Sequence, residues 1–88
     1  MQVVIMTKEE VIAVIKKNAI EVLGDVDPKE ISATRNFRDF GADSLDTVEV
    51  VALSMDDLGI KIPRSELMDI TTIDELADRF LRYLKEEK

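Results

Sequence analysis

The sequence predicts a small all-α bundle of three sizeable helices and one short one. Apolar residues recur at helical spacing in three separate segments, and two of these segments begin with a capping-box pattern, Thr-x-x-Glu. No segment shows the alternation of apolar and polar residues that is typical of a half-buried strand. Since the chain has 88 residues with only 3 Gly and 2 Pro, we expect residues 1–88 to form a single domain.

The first helix is expected over Lys8–Leu23. Thr7 and Glu10 supply the capping box, and Gly24 supplies the C-terminal stop. The apolar residues at helical spacing are Val11, Ile12, Ile15, Ala19, Val22 and Leu23. Residues 1–6 precede the helix, and we expect them to be a flexible extension whose first five residues are dispensable for folding.

A connection of roughly twenty residues separates the first helix from the next one, which is long for a compact domain. A structureless segment of this length counts against a helix assignment unless something holds it in place. Ile31, Phe37 and Phe40 are spaced as apolar anchors that can reach the core. We therefore expect this first loop to be ordered.

The second helix is predicted to begin near Asp43 and to continue to Leu58, where Gly59 ends it. Pro63 then blocks a further helix, so residues 64–68 have room for only one or two helical turns. This segment is the short element of the bundle.

The last helix has the clearest pattern in the chain. Thr72 and Glu75 form its capping box. The apolar residues that follow lie at positions i, i+3, i+4, i+7, i+8 and i+11: Ile73, Leu76, Ala77, Phe80, Leu81 and Leu84.

Composition and charge exclude several classes of function. The chain has 12 Lys and Arg against 19 Asp and Glu, a net charge of −7, which disfavours nucleic acid and favours basic protein partners. It contains no Cys and no His, which excludes disulfides, thiolate nucleophiles, the usual zinc sites and histidine-based catalysis. Because no apolar run approaches the roughly 18 residues of a membrane span and the first residues lack a signal-peptide pattern, we expect a cytoplasmic protein without membrane contact.

The second helix carries an apolar arc that covers more than half of its circumference, although packing one side of a helix on a core needs a much narrower stripe. The arc contains Leu45, Val48, Val50, Val51, Ala52, Met55 and Leu58, and the acidic residues Asp46, Glu49, Asp56 and Asp57 take most of what remains. One interpretation is an exposed apolar stripe flanked by carboxylates, which suits docking to a basic partner. The other is a central helix that its neighbours contact on two sides.

The start of the second helix also offers a site for chemistry. In Gly41-Ala-Asp-Ser-Leu45 the hydroxyl of Ser44 lies at the helix N-terminus. A phosphate ester is favourable there, because unpaired backbone N–H groups and the helix dipole stabilise an anion. The alternative is that Ser44 or Asp43 is merely the N-cap of the helix.

Three motifs in this order, Gly41-Ala-Asp-Ser-Leu-Asp-Thr-Val-Glu49, Ile62-Pro63 and Ile70-Thr-Thr-Ile-Asp-Glu-Leu76, resemble the acyl carrier proteins of fatty-acid and polyketide synthesis. The resemblance extends from Lys8 to Leu84. It implies a four-helix bundle of acyl-carrier type, with a long ordered first loop and a short third helix. It also implies a non-catalytic carrier whose 4′-phosphopantetheine arm is attached to Ser44 by a phosphopantetheinyl transferase and holds acyl groups as thioesters.

The resemblance further implies a monomer that docks on enzymes with basic surfaces: acyltransferases, ketosynthases or enzymes like HMG-CoA synthase. The residues expected to face these partners are Asp43, Leu45, Asp46, Val48, Glu49, Met55, Asp56 and Arg64. Ser54 departs from the common pattern, in which a core aliphatic residue fills this place. The stretch Met55–Leu67, and Arg64 above all, looks more like the discrete donor carriers of polyketide β-branching.

A second hypothesis is a protein-interaction domain that is never modified and uses the second helix only to dock basic partners. The two hypotheses separate at Ser44, since an interaction domain tolerates Ala there and loses only a helix cap worth about 1 kcal/mol. An enzyme is the weakest interpretation. Asp56 and Asp57 are adjacent on a helix and point about 100° apart, so they do not flank a substrate as an acid/base pair.

Overall fold

The computed structural model describes residues 6–86, and this part of the chain is all-α, as predicted. It contains the helices α1 (Lys8–Leu23), α2 (Ser44–Leu58) and α3 (Ile73–Glu86). Short 3-10 turns lie at Pro28–Glu30, Phe37–Phe40 and Arg64–Glu66. Between residues 6 and 86 the extended backbone pairs only at an isolated antiparallel bridge that joins Asn36 to Thr72.

Helix α1 has the predicted bounds because its capping box forms. The backbone N–H of Glu10 donates to Thr7 Oγ1 at 3.2 Å, and the backbone N–H of Thr7 donates to Glu10 Oε1 at 2.9 Å. The helix ends at Gly24, whose φ of +75° is a conformation that L side chains rarely adopt. Met6 packs half-buried against the core, while the prediction for residues 1–5 lies outside the described residues.

The core lies where α1 packs against both α2 and α3. Helices α1 and α3 contribute side chains from their predicted apolar stripes, and α2 contributes one residue of its wider arc. The fully buried ones are Val11, Ile15 and Ala19 from α1, Val50 from α2, and Ile73, Leu76, Ala77 and Phe80 from α3. Helix α2 gives few side chains to this core, so much of its apolar arc remains available elsewhere.

The first loop is anchored as predicted. Ile31, Phe37 and Phe40 are all buried, and the two phenyl rings pack edge to face with centroids 5.7 Å apart. The backbone N–H of Phe37 donates to the carbonyl of Thr71 at 3.0 Å, which ties the loop to the segment before α3. The loop therefore holds the start of α2 in a defined place.

The short third helix of the predicted bundle is a single 3-10 turn. The backbone N–H of Glu66 donates to the Pro63 carbonyl at 2.9 Å, and that of Leu67 donates to the Arg64 carbonyl at 2.9 Å. Both bonds span three residues rather than four, and a further turn of the same kind closes at Ile70. Within residues 6–86 the bundle therefore has three α-helices, and the 3-10 turn at Arg64–Glu66 with the turn that follows it takes the place of the predicted short helix.

Ser54, which departs from the apolar pattern, is fully buried between α1 and α2. The side-chain amide of Asn18 donates to Ser54 Oγ at 3.0 Å and to Asp57 Oδ2 at 3.1 Å. Lys17 Nζ lies 3.6 Å from the same Asp57 oxygen. This polar contact is satisfied, and it directs the Asp57 carboxylate towards α1.

Candidate functional site

The N-cap of α2 is Asp43, so Ser44 is the first residue inside the helix. The backbone N–H of Asp46 donates to Asp43 Oδ1 at 2.9 Å, and the backbone N–H of Asp43 donates to Asp46 Oδ2 at 3.2 Å. The hydroxyl of Thr47 adds a bond to the Asp43 carbonyl at 2.9 Å. Of the two caps that the sequence left open, the structure selects Asp43, because its carboxylate reaches the N–H three residues on.

Ser44 is exposed, and capping does not occupy its hydroxyl. The residues just before it are fixed: Phe40 and Ala42 are buried, and Gly41 adopts a left-handed φ of +97° that turns the chain into α2. The hydroxyl thus lies at the positive end of a 15-residue helix, and the residues that precede it are held in place. This position fits a phosphate ester, since the helix end stabilises its negative charge.

An open groove of about 1340 Å³ runs beside Ser44. One wall is α2, the other is the segment between α2 and α3, and the loop before α2 closes one end. The residues that line it are Asn36, Phe37, Arg38, Gly41, Ala42, Asp43, Ser44, Thr47, Val48, Val51, Ala52, Met55, Ile62, Arg64, Leu67, Met68, Ile70 and Thr71. A flexible chain attached at Ser44 has this mainly apolar groove within reach.

Each of the two interpretations of the apolar arc of α2 is correct for some of its residues. Val50 and Ser54 are buried against the rest of the bundle, as expected of a central helix. Leu45 and Val48 stay 79% and 45% exposed, as expected of a docking stripe, and Met55 packs half-buried at the groove. An exposed apolar stripe therefore runs along α2 from its N-terminus.

The predicted acidic residues fall into two groups. Glu49 and Asp56 are exposed and make no ion pair with another described residue, so their charges face solvent. Asp43 and Asp46 are engaged in the capping box. No Lys or Arg occurs between residues 39 and 60, so every charged side chain of α2 is acidic.

Arg64 is exposed and lines the groove on the wall opposite α2. Two further groove residues, Arg38 and Met68, were not expected from the sequence, and Met68 is 79% exposed. Helical periodicity identifies only faces of regular helices, whereas both residues lie in or beside 3-10 turns. The one signal for Met68 is its position as an apolar residue in a short polar segment.

The described residues offer no other obvious chemistry. They contain no group of three or more acidic side chains that could hold a metal ion. None of their helices has both the length and the apolar character to cross a membrane. The exposed hydroxyl of Ser44 and the groove beside it are therefore the candidate functional site of the described residues.

Comparisons with known proteins identify the family to which the chain belongs. Residues 13–80 match the family described as "Phosphopantetheine attachment site". The chain is 36% identical over 73 residues to the polyketide biosynthesis acyl-carrier-protein AcpK of Bacillus subtilis (strain 168), covering 83% of this chain and 89% of that one. It is 35% identical over 83 residues to the meromycolate extension acyl carrier protein of Mycobacterium tuberculosis (strain ATCC 25618 / H37Rv), covering 93% and 70%.

A solved structure is similar as well. It is the crystal structure of the curacin biosynthetic pathway HMG synthase in complex with acetyl donor-ACP, and its matching chain gives a TM-score of 0.78 at 35% identity. The match covers 88% of this chain and 99% of that one. The chain therefore belongs to the phosphopantetheine-attachment family as a non-catalytic acyl carrier protein, whose cofactor is 4′-phosphopantetheine.

Proposed function

We propose that Ser44 is the residue to which the 4′-phosphopantetheine arm is attached. The observation that carries this proposal is the position of its hydroxyl, which is exposed at the first residue of α2 and is not the helix cap. The thiol of the bound arm holds acyl groups as thioesters, so the chain needs no cysteine of its own. The chain's own contribution is to present the hydroxyl, offer the groove and dock the partners.

A phosphopantetheinyl transferase using Mg²⁺ is the enzyme that loads the arm. The Ser44 oxygen forms a new bond to the phosphorus next to the pantetheine group of coenzyme A and loses its proton to a base of the transferase. The bond from that phosphorus to the bridging oxygen of the diphosphate breaks, and adenosine 3′,5′-bisphosphate leaves. Because Ser44 lies outside the capping box, this reaction leaves the cap of α2 in place.

The pathway that we propose is polyketide synthesis, with the chain acting as a monomeric single domain. Its relative AcpK is named for polyketide biosynthesis, and the similar solved carrier is an acetyl donor bound to an HMG synthase. Two independent comparisons at 35–36% identity thus support this choice of pathway. We infer that this chain delivers an acyl group to an HMG-CoA-synthase-like enzyme during β-branching.

The proposed docking surface is the exposed face of α2 together with Arg64. Leu45 and Val48 form its apolar centre, and Glu49 and Asp56 form an acidic rim that suits Lys and Arg on the partner. The same surface serves acyltransferases, ketosynthases and the transferase that loads the arm. Contacts of this kind are small and sensitive to salt, which a shuttle requires because it must leave each partner.

The first experiment measures the intact mass of the chain before and after incubation with coenzyme A, Mg²⁺ and a phosphopantetheinyl transferase of broad specificity. We expect a gain of one phosphopantetheine group in the wild type and no gain in Ser44→Ala. Circular dichroism of Ser44→Ala is the control that the variant is folded. Loading of the variant, or no loading and no prior arm in the folded wild type, contradicts the proposal and favours the unmodified docking domain.

The donor role has its own test. The acetyl-loaded chain is mixed with an HMG-CoA-synthase-like enzyme and, separately, with a ketosynthase, and transfer of the acetyl group is followed by mass. We expect faster transfer to the HMG-CoA-synthase-like enzyme. Equal or slower transfer contradicts the β-branching role while leaving the attachment at Ser44 intact.

A further inference from the structure

Two arginines stand on the walls of the groove beside Ser44. Arg38 belongs to the 3-10 turn before α2, and Arg64 begins the 3-10 turn after it. Both side chains are exposed, and both line the groove. Segments on either side of α2 thus bring cationic groups to the surface that a chain attached at Ser44 can reach.

The charge of the residues that line the groove has the opposite sign to the net charge of the chain. The whole chain has a net charge of −7, yet the described residues that line the groove include two arginines and one acidic residue, Asp43. The carboxylate of Asp43 accepts the backbone N–H of Asp46 at 2.9 Å as the helix cap. The charged residues that line the groove therefore sum to +1 in a strongly acidic protein.

Neither groove arginine has an ion-pair partner among the side chains that the structure describes. Of the basic side chains in residues 6–84, three lie within ion-pair distance of a carboxylate: Lys8 at 2.9 Å, Lys17 at 3.6 Å and Arg35 at 3.5 Å. Within residues 6–84, Arg38 and Arg64 form no ion pair with a carboxylate. Their charges remain available to an anion from outside the chain.

The backbone that carries each arginine is also held in place by its neighbours. Arg38 follows the buried Phe37, and Arg64 is separated from the buried Ile62 only by Pro63, which restricts the backbone. A guanidinium group matches the two oxygens of a carboxylate or a phosphate with paired N–H donors. Two guanidinium groups carried on backbone of this kind are suited to bind an oxyanion that enters the groove.

We propose that Arg38 and Arg64 form an anion-binding pair, which holds a phosphate or carboxylate group that the arm brings into the groove. This inference rests on the proposed attachment at Ser44. Tethering favours it, because a ligand on a short flexible linker has an effective concentration on the order of millimolar. A contact with a dissociation constant of about a millimolar or less then keeps the arm against the protein.

Two oxyanions on the arm fit this proposal. One is the phosphodiester that joins the arm to Ser44, which is present whatever the acyl group is. On Ser44 its charge would adjoin the capping box of Asp43 and Asp46, and cationic side chains at the groove would offset that repulsion. The other is a free carboxylate at the end of a dicarboxylic acyl group, which is present only in that loaded form.

The test follows the side-chain Nε–Hε NMR signals of the arginines in four forms of the protein: unmodified, carrying the arm, acetyl-loaded and malonyl-loaded. Mass spectrometry establishes each form first. Arg82 is the internal reference, since it is exposed on α3 and does not line the groove. We expect the signals of Arg38 and Arg64 to shift together while that of Arg82 stays in place.

Shifts that appear when the arm is attached identify the phosphodiester, and shifts that appear only on malonyl loading identify the carboxylate. Arg38→Gln should then reduce the shift of Arg64, whereas Arg82→Gln should leave it unchanged. If the arm is attached and neither arginine responds in any form, or only one does, the inference is overturned and the proposed function stands. If no arm is attached to the folded chain, both are overturned.

Discussion

At the residue scale, Ser44 and its neighbour Asp43 have separate roles. Asp43 caps α2 through a 2.9 Å bond, so Asp43→Ala should lower the free energy of unfolding by about 1 kcal/mol. Ser44→Ala removes no cap and should change it by less than about 0.5 kcal/mol. Urea unfolding of both variants measures the difference, with Asp43→Asn as the control that keeps a cap. Equal losses in the two alanine variants would contradict this division.

The buried pair of Asn18 and Ser54 gives a second prediction. Asn18→Ala leaves the Ser54 hydroxyl buried without its 3.0 Å partner, so we expect a loss of about 1–3 kcal/mol in unfolding free energy. Ser54→Ala should cost less, because the amide of Asn18 keeps its 3.1 Å bond to Asp57. A double-mutant cycle by urea unfolding measures the coupling, and additive effects of the two substitutions would show that the bond is unimportant.

At the scale of the element, the start of α3 depends on the ionised form of Glu75. Bonds from the backbone N–H of Thr71 at 2.9 Å, and then from that of Thr72 at 3.2 Å, hold the pKa of Glu75 below its ordinary value of 4.5. A lowered pKa means that the ionised carboxylate stabilises the fold above pH 4.5. This contribution is lost as the pH falls through the lowered pKa.

We therefore expect Glu75→Gln to lower stability at neutral pH and to flatten the loss of stability with acid. The measurement is the midpoint of thermal unfolding from pH 7 downwards. Glu49→Gln is a matched control, because it neutralises an exposed carboxylate of α2 and leaves α3 unchanged. An unchanged slope in Glu75→Gln would show that the capping bonds contribute nothing to acid stability.

The turn that lines the groove is fastened to α3 through Glu66. The hydroxyl of Tyr83 donates to Glu66 Oε1 at 2.7 Å, and the guanidinium of Arg79 donates to the Glu66 carbonyl. We expect Tyr83→Phe to speed amide hydrogen exchange at Leu67 and Ile70 while the helix content stays the same. Arg82→Gln is the control on α3, and exchange at the wild-type rate in Tyr83→Phe would contradict a fastening role.

At the scale of the whole molecule, the distribution of charge governs association. The face of α2 carries no cation, so Glu49→Gln and Asp56→Asn together should slow association with a basic partner enzyme and weaken its dependence on salt. Association rates at several ionic strengths measure the effect. The matched control is Glu9→Gln and Glu21→Gln on α1, and an equal loss in that variant would mean that net charge acts rather than the α2 face.

The sequence alone determined the three α-helices, the first-loop anchors and the exposed serine at the start of α2. Helix bounds follow from local chemistry, since capping boxes, glycine stops and helical periodicity act over three to eleven residues. The cofactor did not follow from this local chemistry but from the resemblance of the motif around Ser44 to a known family. Residues 8–23 and 73–84 needed no information from elsewhere in the chain.

Only the tertiary structure decided which side of α2 is buried and what lines the groove. The arc of α2 is apolar on more than one side, so burial depends on where α1 lies and not on periodicity. Arg38 and Met68 enter the groove because irregular segments carry them there. Contacts between segments distant in sequence depend on packing, and a local pattern of residues does not encode it.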